Sequence, residues 1–164
     1  MLEELPWISE ARKHLGLREI RGEKHNPVIL SWLSRVKAWW RDDETPWCGT
    51  FVDHCLDVGK ATRVKEGYRA KSYLNLPVRL NIPCYGAIAV FDFAPRGGHV
   101  GFIVGTNAAG HLMILGGNQN NEVSIAPFST ERLIGIRWPS VYPSAGRFTL
   151  PRLTNTGSPT ENVV

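Results

Sequence analysis

Cys48 is the residue around which a reaction could be built. It follows a tryptophan and a proline in the stretch ETPWCGTF and is followed by glycine, at a point that reads as the first turn of a helix. A thiol attacks poorly until it loses its proton, and the unpaired N–H groups of a helix N-terminus favour the thiolate. Those N–H groups can also hold the oxyanion formed when a carbonyl is attacked, and Gly49 leaves room for a substrate beside the sulfur. The thiol needs a base, and five histidines are candidates: His14, His25, His54, His99 and His111.

Spacing separates these five. His54 lies six helical residues beyond Cys48, turned by about 240° around the axis, so it faces away from the sulfur. His14 belongs to the polar side of a first helix, His25 to a loop and His111 to a turn. His99 opens an apolar strand directly after Gly97 and Gly98, where a side chain at a sheet end can meet a helix terminus. Pairing Gly105 with His111 in a hairpin places Gly117 opposite His99. A one-residue shift places Asn118 there, where its carbonyl would fix the imidazole tautomer. The spacing therefore predicts a constellation of Cys48, His99 and Asn118.

The elements that position these residues fall into two blocks. Residues 6–21 read as an amphipathic helix ended by Gly22, 27–40 as a second, and a third opens with Thr45 as N-cap and Pro46 in its first turn and stops at Gly59. A short helix is expected near 68–75. Strands are then expected at 85–91, 99–105, 111–117, 122–128 and 133–139, joined by connectors short enough for an antiparallel meander. Helices followed by strands imply an α+β fold, with helices covering a sheet of about five strands. The sequence divides into a domain over 1–140 and an irregular, Pro- and Ser-rich tail over 141–164.

Composition narrows the function classes. The chain has 164 residues, 43% of them hydrophobic, a net charge of +4 and three cysteines. One domain is expected, without a disulfide framework or a basic stripe suited to nucleic acid. No run is long and apolar enough for a membrane span, no secretory signal opens the chain, and synthesis in the cytoplasm is expected.

The segments PWCGTFVDHCL, GGHVGFIVG, LGGNQNNEVSI and LIGIRWP, together with the opening PWISEARKHLGLREIRGEKHNPVI, resemble the CHAP-type superfamily of cysteine, histidine-dependent amidohydrolases and peptidases. Within it they resemble a subfamily of small phage- or prophage-associated proteins. The likeness spans about residues 6–139. It implies a papain-like fold and cleavage of amide bonds in peptidoglycan, with Cys48 as nucleophile, His99 as base and Asn118 as orienting residue. Many such domains carry glutamate two residues before that asparagine, whereas this chain has Gly116.

The resulting expectation is a monomeric phage endolysin that acts at the cell wall after release from the host cytoplasm, without cofactor or metal. Trp47, Gly49 and Gly98 would border the substrate. Two rivals are a delivered antibacterial amidase toxin and a non-catalytic wall-binding or virion structural module. Cys55 and Cys84 read as core. Cys48, His54, Cys55, Cys84 and His99 together fit no common zinc spacing. The acidic run Asp42, Asp43 and Glu44 could bind calcium as in some CHAP domains, but reads better as a helix-capping run. Trp39, Trp40, Trp47 and Trp138 could stack on sugars. Trp40 is assigned to the core and Trp47 to a cleft wall.

Overall fold

The structure, a computed structural model, describes residues 2–20, 25–40, 46–154 and 159–163. Thr45 and the acidic run 42–44 lie outside them, as does Gly22. Three helices, α1 (Pro6–Lys13), α2 (Pro27–Arg35) and α3 (Cys48–Val58), precede six strands. These are β1 (Val78–Leu80), β2 (Ile88–Asp92), β3 (Gly98–Thr106), β4 (Leu112–Gln119), β5 (Glu122–Phe128) and β6 (Leu133–Trp138). The fold is α+β with one antiparallel sheet, ordered β1-β6-β2-β3-β4-β5.

Two features of the sheet depart from the expected meander. The chain leaves β5 and crosses back to lay β6 along the far edge of β2, pairing Ile88 with Arg137 and Ala89 with Ile136. The sixth strand, β1, is only three residues long and pairs outside β6, too short to leave an alternating pattern in the sequence.

The first two helices end earlier than their apolar periodicity implies. At α1 the reason is Gly16, whose φ of +90° turns the chain out of the helix. The backbone after it runs along β5, where Gly16 N–H donates to Val123 O (2.9 Å), Val123 N–H to Leu17 O (2.8 Å) and Glu19 N–H to Asn121 O (3.0 Å). This segment covers an edge that would otherwise expose unpaired ladder groups. Leu15, in the turn that follows α1, is exposed. At α2, Asn26 caps the start by accepting from Val28 N–H at 2.9 Å, and Lys37 in the left-handed region ends the helical run.

Helix α3 packs on β3 and β4 with α1 against its outer side. Phe51, Val52, Cys55 and Leu56 of α3 join Phe102, Ile103, Ile114 and Leu115 of the sheet in one buried core. Burying a side chain of this size contributes about 1.5–3 kcal/mol, so the helix is fixed to the sheet by several such terms. All three cysteines are free and buried. Cys55, Cys84 and Trp40 sit in the core as expected, and Trp138 is buried there as well.

The described residues after 140 hold one short 3-10 helix (Ala145–Phe148) and are docked on the sheet and its turns. Thr106 N–H donates to Pro151 O (2.9 Å), Leu153 N–H to Thr106 O (2.7 Å) and Asn120 N–H to Asn162 O (3.1 Å), and Val163 is buried.

Candidate functional site

Cys48 is the first residue of α3, two residues later than Pro46 in the first turn would have placed the start. Trp47 occupies the N-cap and offers no side-chain cap bond, so its own side chain does not compete for the first N–H groups of the helix. Backbone N–H groups of Val100, Gly49 and Cys48 itself favour the charged sulfur. The contact with Val100 sets the sulfur beside the opening residues of β3, one residue from His99. Burial dominates those N–H groups, and the thiol is pushed up to about 11. The sulfur does not ionise on its own at neutral pH.

His99 is fully buried within the sheet. Its ring lies flat on Phe128, with centroids 5.0 Å apart and planes 2° from parallel. Burial lowers its pKa to about 4, opposed by a hydrogen bond with Gln119, so the ring is neutral at neutral pH.

The hydrogen-bond network then fixes which nitrogen carries the proton. Gln119 Nε2 donates to Ile114 O (3.1 Å) and Ser124 O (2.9 Å), which can only accept. Its Oε1 therefore faces His99 Nε2 at 3.0 Å, and that nitrogen must be the donor. Nδ1 is left with its lone pair free, and it has no hydrogen-bond partner among the described residues. A neutral imidazole with an open Nδ1 is poised to accept a proton.

The side chain hydrogen-bonded to His99 is thus that of Gln119, and not that of Asn118 as expected. Around Phe102–Leu115 and Ile103–Ile114 the β3–β4 register is the one that would carry Asn118 across from His99. The ladder breaks before reaching it. A register shift falls between Gly116 and Gln119 in β4, and Asn118 has φ +57°. That kink turns the Asn118 amide to donate to Val163 O at 3.0 Å and brings the next side chain inward. Gly116 makes the exchange possible, since a Cβ there would sit 2.4 Å from Gln119 Oε1. Gly116 leaves the space that the glutamine amide fills.

A cleft of about 310 Å³ opens at Cys48, lined also by Tyr68, Arg69, Lys71, Gly97 and Gly98. Gly98 is one of its walls. Trp47 is not: it is fully buried, donates its Nε1 hydrogen to Glu19 Oε1 at 2.8 Å, and packs where a Cβ on Gly117 would clash with its ring. Nor does the missing side chain at Gly49 make room for a substrate. A Cβ there would lie 2.6 Å from Gly67 O, so this glycine lets the 67–68 loop close on α3. Tyr73 locks that approach, with its hydroxyl 2.8 Å from Gly49 O and 2.9 Å from Gly67 O.

Arg69 and Lys71 escaped sequence reasoning because they lie before the sheet in a segment with no motif. Lys71 pairs with Asp92 at 3.0 Å, and Arg69 lies 3.8 Å from Glu66. Trp39 is 77% exposed and packs edge-on against Trp40, outside the cleft. His111 sits on its turn, 3.4 Å from Asn107. His14, on α1's cap, and His54 converge on the buried Glu10. Among the described residues, no helix is long and apolar enough to cross a membrane.

Compared with known proteins, the chain matches no family model and no curated protein.

Proposed function

We propose that the protein is a cysteine amidase or endopeptidase of the CHAP type, with a papain-like arrangement, acting on bacterial peptidoglycan. One observation carries this reading: the His99 tautomer, set by Gln119, leaves an unprotonated Nδ1 next to the strand residue whose N–H contacts the Cys48 sulfur. Burial disfavours charge on both groups, so thiolate and imidazolium form together by transfer of the Cys48 proton to Nδ1 as the substrate carbonyl is engaged.

The sulfur bonds to the carbonyl carbon, and the oxyanion is held by N–H groups at the start of α3. The C–N bond breaks as His99 returns its proton to the leaving amine. Water then attacks the thioester while His99 takes a proton from it. The acid departs, and that proton goes back to sulfur. Gln119 keeps the ring in register throughout. The Arg69 and Lys71 side chains at the cleft supply positive charge for the carboxylates of a peptidoglycan stem peptide. A phage endolysin is the biological role that suits a compact wall-cleaving domain of this kind.

The test is digestion of purified sacculi by the protein and by Cys48→Ala, followed by mass spectrometry. New amine and carboxyl ends released only by the unsubstituted protein are expected. Sacculi bound by both proteins but left uncut by both would overturn the enzyme in favour of a wall-binding module.

A further inference from the structure

Away from the cleft, α1 and α3 bring three metal-competent side chains to one point. Glu10 and His14 stand four residues apart, at the end of α1 and its cap, and His54 reaches in from α3. His14 Nε2 and His54 Nε2 each lie 2.8 Å from the same oxygen, Glu10 Oε2. The three atoms all fall within 4.8 Å of one another. Glu10 is 8% exposed, and its second oxygen faces Lys13 Nζ at 3.4 Å, so Oε2 is the one left to the imidazoles. Trp32 walls the cluster, stacked on His54 at 4.8 Å and edge-on to His14 at 5.0 Å.

We propose that Glu10, His14 and His54 form a binding site for one divalent transition-metal ion of the zinc class, clamping α1 to α3. Two imidazole nitrogens and one carboxylate oxygen are a ligand set for zinc and its neighbours and a poor one for calcium or magnesium, which take oxygen. Ligand atoms around a tetrahedral zinc ion lie about 3.3 Å apart. Two of the present separations are 2.8 Å and none exceeds 4.8 Å, so small side-chain rotations convert the hydrogen-bonded cluster into a coordination sphere. His14, the most exposed of the three, gives access from solvent and leaves a fourth position for water.

One detail sets the strength. His54 Nδ1 is buried without a hydrogen-bond partner among the described residues, so no acceptor props that ring from behind. Such a prop is worth about 10- to 100-fold in affinity, and the site is expected to bind correspondingly more weakly than a fully supported structural zinc site.

The test uses the full chain carrying Cys48→Ala, stripped with chelator, and adds Zn²⁺ under calorimetry. Binding of one equivalent is expected, with a melting temperature raised by about 5 °C at saturation. Imidazole nitrogen NMR should show the His14 and His54 signals moving while those of His25 and His111 stay. Co²⁺ should give a visible spectrum without thiolate charge transfer. His14→Gln with His54→Gln should weaken binding at least about 100-fold. Absence of saturable binding, or shifts confined to other histidines, would overturn the site. If the double variant does not fold, the imidazole spectra of the parent decide.

Discussion

Helix α3 presents two imidazole environments that differ in how the ring is held. At its leading end, near Cys48, a single imidazole is anchored through one nitrogen to a neutral amide and keeps the other open. Six residues along, His54 shares a carboxylate with a second imidazole. Burial keeps the His99 ring uncharged, against the hydrogen bond with the neutral Gln119 amide. A carboxylate partner favours positive charge. At Glu10 burial opposes ionisation, but hydrogen bonds from His14 and His54 outweigh it and hold the carboxyl below its usual range. His54 itself is lowered by burial, against the pull of Glu10. Burial therefore holds both rings toward the neutral form, and what distinguishes them is the partner: a neutral amide at His99, a carboxylate shared with a second imidazole at His54.

The sharpest way to break this comparison is at the sulfur. Cys48→Ala is expected to lower wall-solubilising turnover by about 10³-fold or more with the melting temperature retained, and sacculus release assays measure it. Next comes the tautomer. Gln119→Ala should cost about 10²-fold in kcat because the ring loses the acceptor that keeps its Nδ1 free, whereas Asn118→Ala should act chiefly on stability, by about 1–2 kcal/mol. Kinetics and chemical denaturation of the two variants separate these outcomes; equal losses of kcat would return the orienting role to Asn118.

A third outcome concerns pH. His99 titrates lower in the folded chain than in the unfolded one, so between its ordinary value near 6.5 and about 4 the unfolded state binds more protons. Stability is expected to fall as pH drops through that window, by on the order of 3 kcal/mol from this group. Denaturant melts from pH 7 to 4 check it, and the slope should shrink in His99→Gln. The smallest effect belongs to Trp47→Phe. It should lower stability through the lost bond to Glu19, by about 1 kcal/mol, and leave KM for wall fragments within about twofold, since the ring does not reach the cleft.

Much of this arrangement was legible from the residues. The Pro-Trp-Cys-Gly run located the helix start, and the Gly-Gly-His run located a strand opening, because caps, glycines and alternation are local signals. What escaped was set by longer-range geometry. The β6 crossover depends on a free edge of β2, which no local pattern reports. Asn118 and Gln119 are neighbours in one polar turn, and a single left-handed residue decides which faces the ring. Rotation around α3 excluded His54 as the base for Cys48, and the same rotation aims it at α1, where the Glu10 and His14 spacing offered a signal.

Asn118 Nδ2 holds Val163 O, and Asn120 N–H holds Asn162 O, so the far end of the chain is fastened over the turn that supplies Gln119. His99, through Gln119, is thereby tethered to residues more than sixty positions downstream of it. Proteolytic clipping after Leu153, far from the cleft in sequence, would release that fastening and let the glutamine drift, so a nicked preparation should lose turnover before it loses its helical or sheet content.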